Sequence, residues 1–254
     1  QQKILDINPR AFLVPCNTHT LILTVNDAAK ISYMTVDFFD IIEELYVFFV
    51  SSTQRWQVLK EHVKNLTLKP LSATRWESRV AAIKPLRYFL PEVYDALFDI
   101  SGDDNRDINT KHQACSLAAK IKSFKFICSV VIWYEILSKV NVISKILQQT
   151  TLNISGCVQE LEKLHKHLVE YRSDEGFENV LADAKEIAGK LDCEEQFPDV
   201  VTIRPRRRKK IFDYEHEDEP LANPTQNFKV NFFFAVLDTS IQSINERFTL
   251  LQSH

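Results

Sequence analysis

Residues 37–49 have the sequence DFFDIIEELYVFF, in which large apolar side chains recur at three- and four-residue spacing. That spacing places them on one face of an α-helix, and the face is strongly aromatic. The positions concerned are Phe39, Ile42, Leu45 or Tyr46, and Phe49. Nearly every long segment after residue 20 repeats this period of about 3.6, and almost none has the period of about 2 that is typical of a strand. The chain is therefore predicted to be mostly α-helical, with strand limited to Ala11–Val14.

Further helices are predicted along the rest of the chain. The next one begins at an N-cap, either Ser52 or Thr53, and carries Trp56 and Leu59. A later one is predicted to bend near Pro85, because proline interrupts the helical hydrogen-bond pattern. The remaining predicted segments are a loop at Ser101 to Asn109, a helical region from about Lys111 to Leu147, a helix capped by Ser155, a helix with its stripe from Phe177 to Leu191, and a last helix from Asn227 with its stripe from Val230 to Leu251.

Composition restricts the possible functions. A net charge of −3 gives no overall attraction to nucleic acid, so any DNA contact has to come from local basic patches. The five cysteines are scattered and odd in number, which argues against a disulfide framework and favours a reducing compartment. Only four glycines are present, so phosphate-binding glycine loops are absent and long helices are favoured. The most apolar stretch, Phe126 to Trp133, is far short of the ~20 residues that span a bilayer, and no membrane partner is expected.

Residues 193–226 interrupt the helical pattern. A basic run in this segment is followed at once by acidic residues from Asp213 to Glu219 and by two prolines, which is typical of an exposed, disordered linker. The run is a candidate nuclear localisation signal, a phosphate-binding patch or a solvated block of charge. The acidic neighbours mask its field at long range, which favours the nuclear signal. The basic residues are Arg204, Arg206, Arg207, Arg208, Lys209 and Lys210.

Two short motifs carry more specific information. Phe12 to Pro15 run directly into Cys16-Asn17-Thr18-His19, and some fifty residues later the chain reads Ser72-Ala73-Thr74-Arg75-Trp76-Glu77-Ser78-Arg79. A Cys-x-x-His at a strand-to-helix junction, followed at that distance by Thr-Arg-Trp-x-Ser, resembles the hAT superfamily of DNA transposases. In particular, it resembles the zinc-finger MYM-type, transposase-derived branch, and the resemblance extends through residues 25–30, 68–71 and 238–248.

The resemblance implies where the chemistry of the family is located. The catalytic domain of hAT transposases has an RNase H-like fold, and its three acidic residues bind two divalent metal ions, Mg²⁺ or Mn²⁺. The first two Asp residues lie upstream of the Cys-x-x-His, and the Glu lies beyond the all-helical insertion domain. Measured against that order, this chain begins after the second Asp and ends before the Glu. We therefore expect no catalytic residue and no cofactor in the chain itself.

The same resemblance suggests four parts in the chain. Residues 1–35 are expected to be the last strand and helix of an incomplete RNase H-like α/β domain, and residues 36–192 the attached helical insertion domain. Residues 193–226 form the linker. Residues 227–254 are expected to be the final amphipathic helix of the insertion domain, and the helical domain is a candidate surface for homo-oligomer formation.

Cys16 and His19 are candidate DNA contacts, because the resemblance places His19 near the scissile phosphate. The Cys-x-x-His spacing also fits half of a zinc site. No second ligand pair follows, however, since His165 and His167 are two residues apart on a predicted helix and point in different directions. For Cys16 alone, a small buried thiol is an equally good interpretation.

Trp76 is the sharpest candidate for a DNA contact. In relatives, the tryptophan of this motif stacks on a base that is flipped out of the flanking DNA, and an indole suits that role because every base has a π-face. The resemblance assigns phosphate contacts to Arg75 and Arg79. The alternative is that Trp76 packs in the helical core with Arg75 paired to Glu77 or solvated. Trp56 and Trp133 belong to no motif and are predicted to lie in the core.

The sequence therefore indicates a nuclear fragment of a hAT-type transposase-derived protein that contributes DNA contacts and scaffold. An alternative is a host-recruited helical module that binds other proteins and has no nuclease role. An unrelated helical repeat protein ranks last because no fixed period appears.

The purified chain of 254 residues is expected to show no metal-dependent DNA cleavage, because no carboxylate cluster of the family is present to hold two metal ions. The measurement is a nicking and hairpin-formation assay with Mg²⁺ or Mn²⁺. Cleavage that disappears when an acid within this chain is replaced would contradict the assignment of the catalytic residues to positions outside it.

Overall fold

A computed structural model describes residues 21, 23, 26–71, 76–148, 154–197 and 223–252, without the side chains of Trp76, Ile154 and residues 247–252. Every regular element within these ranges is helical, which confirms the prediction of a mostly α-helical protein. The predicted strand at Ala11–Val14 lies outside the described residues, as does most of the segment assigned to an RNase H-like domain.

Several of the helices follow one another with short connections. The helices are α1 (Tyr33–Val50), α2 (Thr53–His62), α3 (Trp76–Gly102), α4 (Ile108–Ile121), α5 (Phe124–Leu147), α6 (Ile154–Tyr171), α7 (Asp174–Lys190), α8 (Pro224–Phe228), a π-helical segment (Lys229–Phe234) and α9 (Ala235–Gln252). Most starts are capped by a side-chain oxygen that accepts a hydrogen bond from a free backbone N–H of the first turn. The caps are Ser32, Ser52, Asp107, Ser123, Ser173 and Asn223.

Helix α5 lies at the centre of the array. All eight consecutive residues from Phe126 to Trp133 are buried, so more than one face of this helix is covered by protein. Helices α3, α4, α6 and α7 pack against it. Among the described residues, α5 alone is long and apolar enough to cross a membrane by length and composition. A helix that is covered by protein on several faces is also apolar. The four neighbouring helices that contact α5 therefore account for its composition.

Helix α1 joins this core through the aromatic stripe that the sequence predicts. Phe38 lies 5.4 Å from Phe126, and Phe39 lies 4.9 Å from Trp133, measured between ring centroids. Both partners belong to α5, so the stripe attaches α1 to the central helix. Tilted and edge-to-face aromatic contacts of this kind add about 0.5–1.5 kcal/mol each beyond the burial of apolar area.

The C-terminal part of the chain closes the array on the side of α6. Helix α9 packs along α6, and Arg172 forms a bidentate ion pair with Asp238 at the start of α9. The π-helical segment precedes that point and buries Phe232 and Phe233. Lys229 of this segment pairs with Asp174 at 2.9 Å and lies over the ring of Phe177. These contacts fix the last helix to the α6–α7 connection.

The bend in α3 differs from the prediction. The non-helical residue is Phe89, with φ −132° and ψ 29°, and not a residue next to Pro85. Pro91, two residues later, lacks a backbone N–H, and its ring crowds the carbonyl group of residue 87. The helical geometry is therefore interrupted on the N-terminal side of that proline. The prediction of a bend near Pro85 is therefore wrong, although proline is the cause.

Other boundaries move by a few residues. The region from Lys111 to Leu147 is two helices, because Ser123 caps α5 after a short turn, and α6 begins one residue before Ser155. The loop predicted at Ser101 to Asn109 shrinks to residues 103–107. The final helical stretch begins at Pro224 rather than Asn227, and Val230 of its predicted stripe is exposed.

The first residues of the predicted linker belong to the packed structure. Phe197 lies 4.8 Å from Phe228 and 5.2 Å from Phe124, again between ring centroids. The thiol of Cys193 contacts the backbone carbonyl of Lys122. Residues 193–197 thus attach to the helical array, and a linker that starts at residue 193 is predicted too early.

Trp133→Ala is expected to lower the free energy of unfolding by about 3–5 kcal/mol, because the indole is fully buried between α1 and α5 and its loss leaves a cavity. Denaturant titration of the two proteins measures the difference. Trp56→Ala is the matched control, since Trp56 is only half-buried and contacts Tyr46 by its edge. Equal losses for the two variants would contradict the central position of Trp133.

Candidate functional site

The residues predicted to contact DNA fall into two groups. Cys16, His19, Arg75 and the basic run at residues 204–210 lie outside the described residues. Trp76 is the first residue of α3, and Arg79 lies one turn further along the same helix. Of the predicted site, the start of α3 lies within the described residues.

Arg79 is packed against the core rather than extended from the surface. Its guanidinium lies 5.0 Å from the centroid of the Phe39 ring, which in turn contacts Trp133. Burial lowers the pKa of Arg79, as expected for a cation partly removed from water. A guanidinium on an aromatic face is attracted by the ring quadrupole. This arrangement favours a role in positioning the first turn of α3 over a direct contact with phosphate.

A second contact holds the first turn of α3 from the outside. Glu77 forms an ion pair with Lys145 of α5 at 2.9 Å, and both side chains are exposed. An exposed pair of this kind contributes about 0–1 kcal/mol, so it adds little to the stability of the turn. The sequence analysis also allows Arg75 to pair with Glu77. Lys145 competes with Arg75 for that carboxylate. Lys84, two turns further along α3, is exposed and basic.

The described residues do not provide a metal site. No group of three or more His, Cys, Asp or Glu side chains within them could hold an ion. His167 lies beside Glu135, with 3.1 Å between Nε2 and Oε1, and its ring stacks on Tyr171. His165 takes no part in that pair.

The described cysteines form no disulfide. Cys128 and Cys157 are buried, Cys193 is half-buried and Cys115 is exposed. Burial raises the pKa of the Cys128 and Cys193 thiols, which keeps them in the weakly nucleophilic protonated form. These thiols are therefore not arranged as catalytic nucleophiles.

A cleft lined by three tyrosines is not predicted by any pattern in the sequence. Tyr88, Tyr134 and Tyr171, three of the seven tyrosines, line a single cleft between α3, α5, α6 and α7. Their positions in the sequence are far apart and belong to three different helices, so no motif links them. Only the packing of the helices brings them together.

No protein-family model matches the chain, and no solved structure matches its fold. The resemblance to hAT transposases accordingly depends on the sequence stretches quoted above alone.

Arg79→Ala is expected to lower the free energy of unfolding by about 1–2 kcal/mol, because the cation–π contact and the packing of the aliphatic stem are lost. The salt dependence of DNA binding should stay unchanged. Chemical denaturation and DNA titration at several salt concentrations measure both quantities. Lys84→Ala is the matched control on the same helix, and its effect on stability should be within about 0.5 kcal/mol of zero. A normal stability together with a flatter salt dependence would instead identify Arg79 as a phosphate contact.

Proposed function

We propose that this chain is part of a hAT-type transposase-derived protein, and that its helical domain supplies scaffold and a DNA contact at the start of α3. The observation that carries the proposal is the place of the Thr-Arg-Trp motif, which leads directly into a long helix that begins at Trp76. The motif that resembles the family's base-stacking residue thus coincides with a helix N-terminus.

A helix N-terminus suits contact with a nucleic-acid backbone. Its first N–H groups have no partner within the helix, and the aligned peptide dipoles place a partial positive charge at that end. Phosphate groups bind such ends readily. Arg75 immediately before the helix adds a full charge, and the indole of Trp76 adds a surface on which any base can stack.

The packing around the first turn supports this role. Arg79 attaches the turn to Phe39 on the inner side, and Glu77 attaches it to Lys145 on the outer side. A contact surface that is fixed before binding loses less conformational entropy when the ligand arrives. Both contacts lie within three residues of Trp76, and the Arg79 contact is the stronger of the two, because the Glu77 pair is exposed.

The rest of the proposal concerns other parts of the protein, many of them outside the described residues. Residues 1–35 would be the remnant of the RNase H-like domain, and the catalytic acids with their Mg²⁺ or Mn²⁺ would lie outside this chain. The basic run at residues 204–210 would serve as a nuclear localisation signal. The helical domain would also be the surface for any homo-oligomer.

A second function is a host-recruited helical module that binds other proteins. A groove of about 470 Å³ between α1 and α4 favours it, since Val47, Phe48 and Leu117 line this groove beside charged residues. Val47 is about half exposed, at 49%. The two functions are separated by the DNA measurements below, because only the first requires the start of α3 to bind DNA.

Trp76→Ala is expected to leave the fold intact and to weaken binding to DNA that contains an unpaired base, by about 1–3 kcal/mol for one lost stack. Arg75→Ala should weaken binding to any sequence and flatten its salt dependence, as expected for a phosphate contact. Thermal melts and DNA titrations on each variant provide the two readouts.

Trp56→Ala serves as the control, since it removes a tryptophan of no motif from the same domain. A loss of about 3–5 kcal/mol in stability for Trp76→Ala, with DNA affinity unchanged, would mean that Trp76 is a core residue. Unchanged DNA affinity in both the Trp76 and the Arg75 variants would favour the protein-binding module.

A further inference from the structure

The cleft between α3, α5, α6 and α7 is a separate feature from the start of α3. It has a volume of about 340 Å³, enough for a small molecule or the end of a long side chain. We call it the tyrosine cleft and define it by its polar lining residues. These are Arg87 and Tyr88 of α3, Tyr134 and Glu135 of α5, Tyr171 of α6, and Asn179 and Asp183 of α7.

The tyrosine rings of the cleft are held in fixed positions. Tyr88 and Tyr134 meet at right angles, with ring centroids 5.5 Å apart, an interplanar angle of 83° and hydroxyl oxygens 3.1 Å apart. The ring of Tyr171 is stacked with His167 and meets Phe233 edge-on. These contacts leave the phenol groups little freedom, so the polar surface of the cleft exists before any ligand binds.

Tyr171 presents to the cleft a hydroxyl group that no described residue uses. Its side chain is partly buried beside Phe233 of the π-helical segment, and burial raises its pKa above the usual range. Tyr171 lines the cleft, and its hydroxyl makes no hydrogen bond to any described residue. Because the hydroxyl is not enclosed by protein, a ligand that enters the cleft can donate to it or accept from it.

The charged groups around the cleft are largely paired with one another, and a carboxylate oxygen is left for a ligand. Two carboxylates, Glu135 and Asp183, line it together with one guanidinium, and that guanidinium, Arg87, is already paired with Asp183. Glu135 is approached at the surface by Lys139 at 3.8 Å and by His167 at 3.1 Å, both through Oε1. Its second oxygen has no described partner. A cation in the cleft would therefore meet the second oxygen of Glu135 and the electron-rich tyrosine rings.

We propose that the tyrosine cleft binds a small organic cation of the alkylammonium class. The ammonium N–H groups would donate to the second oxygen of Glu135 and to the hydroxyl of Tyr171, and the carbon chain would lie against the rings of Tyr88 and Tyr134. The amide oxygen of Asn179 is available as a further acceptor. This site does not depend on DNA binding at the start of α3, and its carboxylates disfavour nucleic-acid phosphate.

The test uses n-butylammonium as the probe, titrated calorimetrically into the full chain at constant ionic strength, with butyrate as the anionic counterpart. Butylammonium should bind with a 1:1 stoichiometry, and butyrate should not bind. Tetramethylammonium, which has no N–H group, should bind more weakly, because it can use the rings but not the two acceptors.

Three variants locate the binding. Tyr171→Phe removes only a hydroxyl that has no described partner, so it should fold normally and weaken butylammonium binding about tenfold. Glu135→Gln should weaken it by at least as much. Tyr94→Phe is the matched control, because Tyr94 stacks on Phe98 away from the cleft and should have normal affinity.

Three outcomes would overturn the proposal. They are no heat of binding for butylammonium, an equal affinity in Tyr171→Phe and Tyr94→Phe, and tighter binding of butyrate than of butylammonium. Thermal melts of each variant are recorded alongside. If Glu135→Gln is destabilised, the comparison of Tyr171→Phe with Tyr94→Phe decides the question alone.

Discussion

The burial of α5 on more than one face is the constraint on which the rest of the structure depends. A helix whose residues from Phe126 to Trp133 are all apolar or small cannot lie on a surface, because every face of two successive turns would expose apolar area to water. Four other helices must therefore cover it, and α3, α4, α6 and α7 do so. The fold is a helical array built around one central helix, and each of its neighbours is amphipathic because it has one inner and one outer side.

Both candidate sites include contacts between α3 and the less buried residues of α5. Lys145 near its C-terminal end pairs with Glu77 at the start of α3, and Tyr134 in its middle meets Tyr88 further along α3. The residue that comes later in α3 contacts the residue that comes earlier in α5, so the two helices are antiparallel. A side chain on the central helix is held by several neighbours, so groups placed there keep their geometry better than groups on a loop.

The sequence predicts the helices well and their limits less well. The aromatic stripe of α1 was recognisable because Phe39, Ile42 and Phe49 follow the helical period, and the structure places them at or near the core. The break before α5 was missed, because apolar residues continue through Ile121 and Phe124 and only the cap at Ser123 marks it. The role of Arg79 could not be read from its motif, because Phe39 is forty positions away and the contact exists only through packing. The tyrosine cleft cannot be predicted from the sequence for the same reason, since only packing brings its residues together.

The two sites require opposite electrostatics, and the fold separates them. The start of α3 offers the positive end of the helix dipole and, next to it in the sequence, Arg75, whereas the cleft offers Glu135 and three tyrosines. Trp76 and Tyr88 are twelve residues apart on one helix, about 18 Å along its axis, which exceeds the Debye length of roughly 8 Å at physiological salt. The negative cleft therefore exerts only a weak repulsion on a phosphate at the helix start. One helix can thus carry a surface for an anionic polymer at its end and a pocket for a small cation along its side.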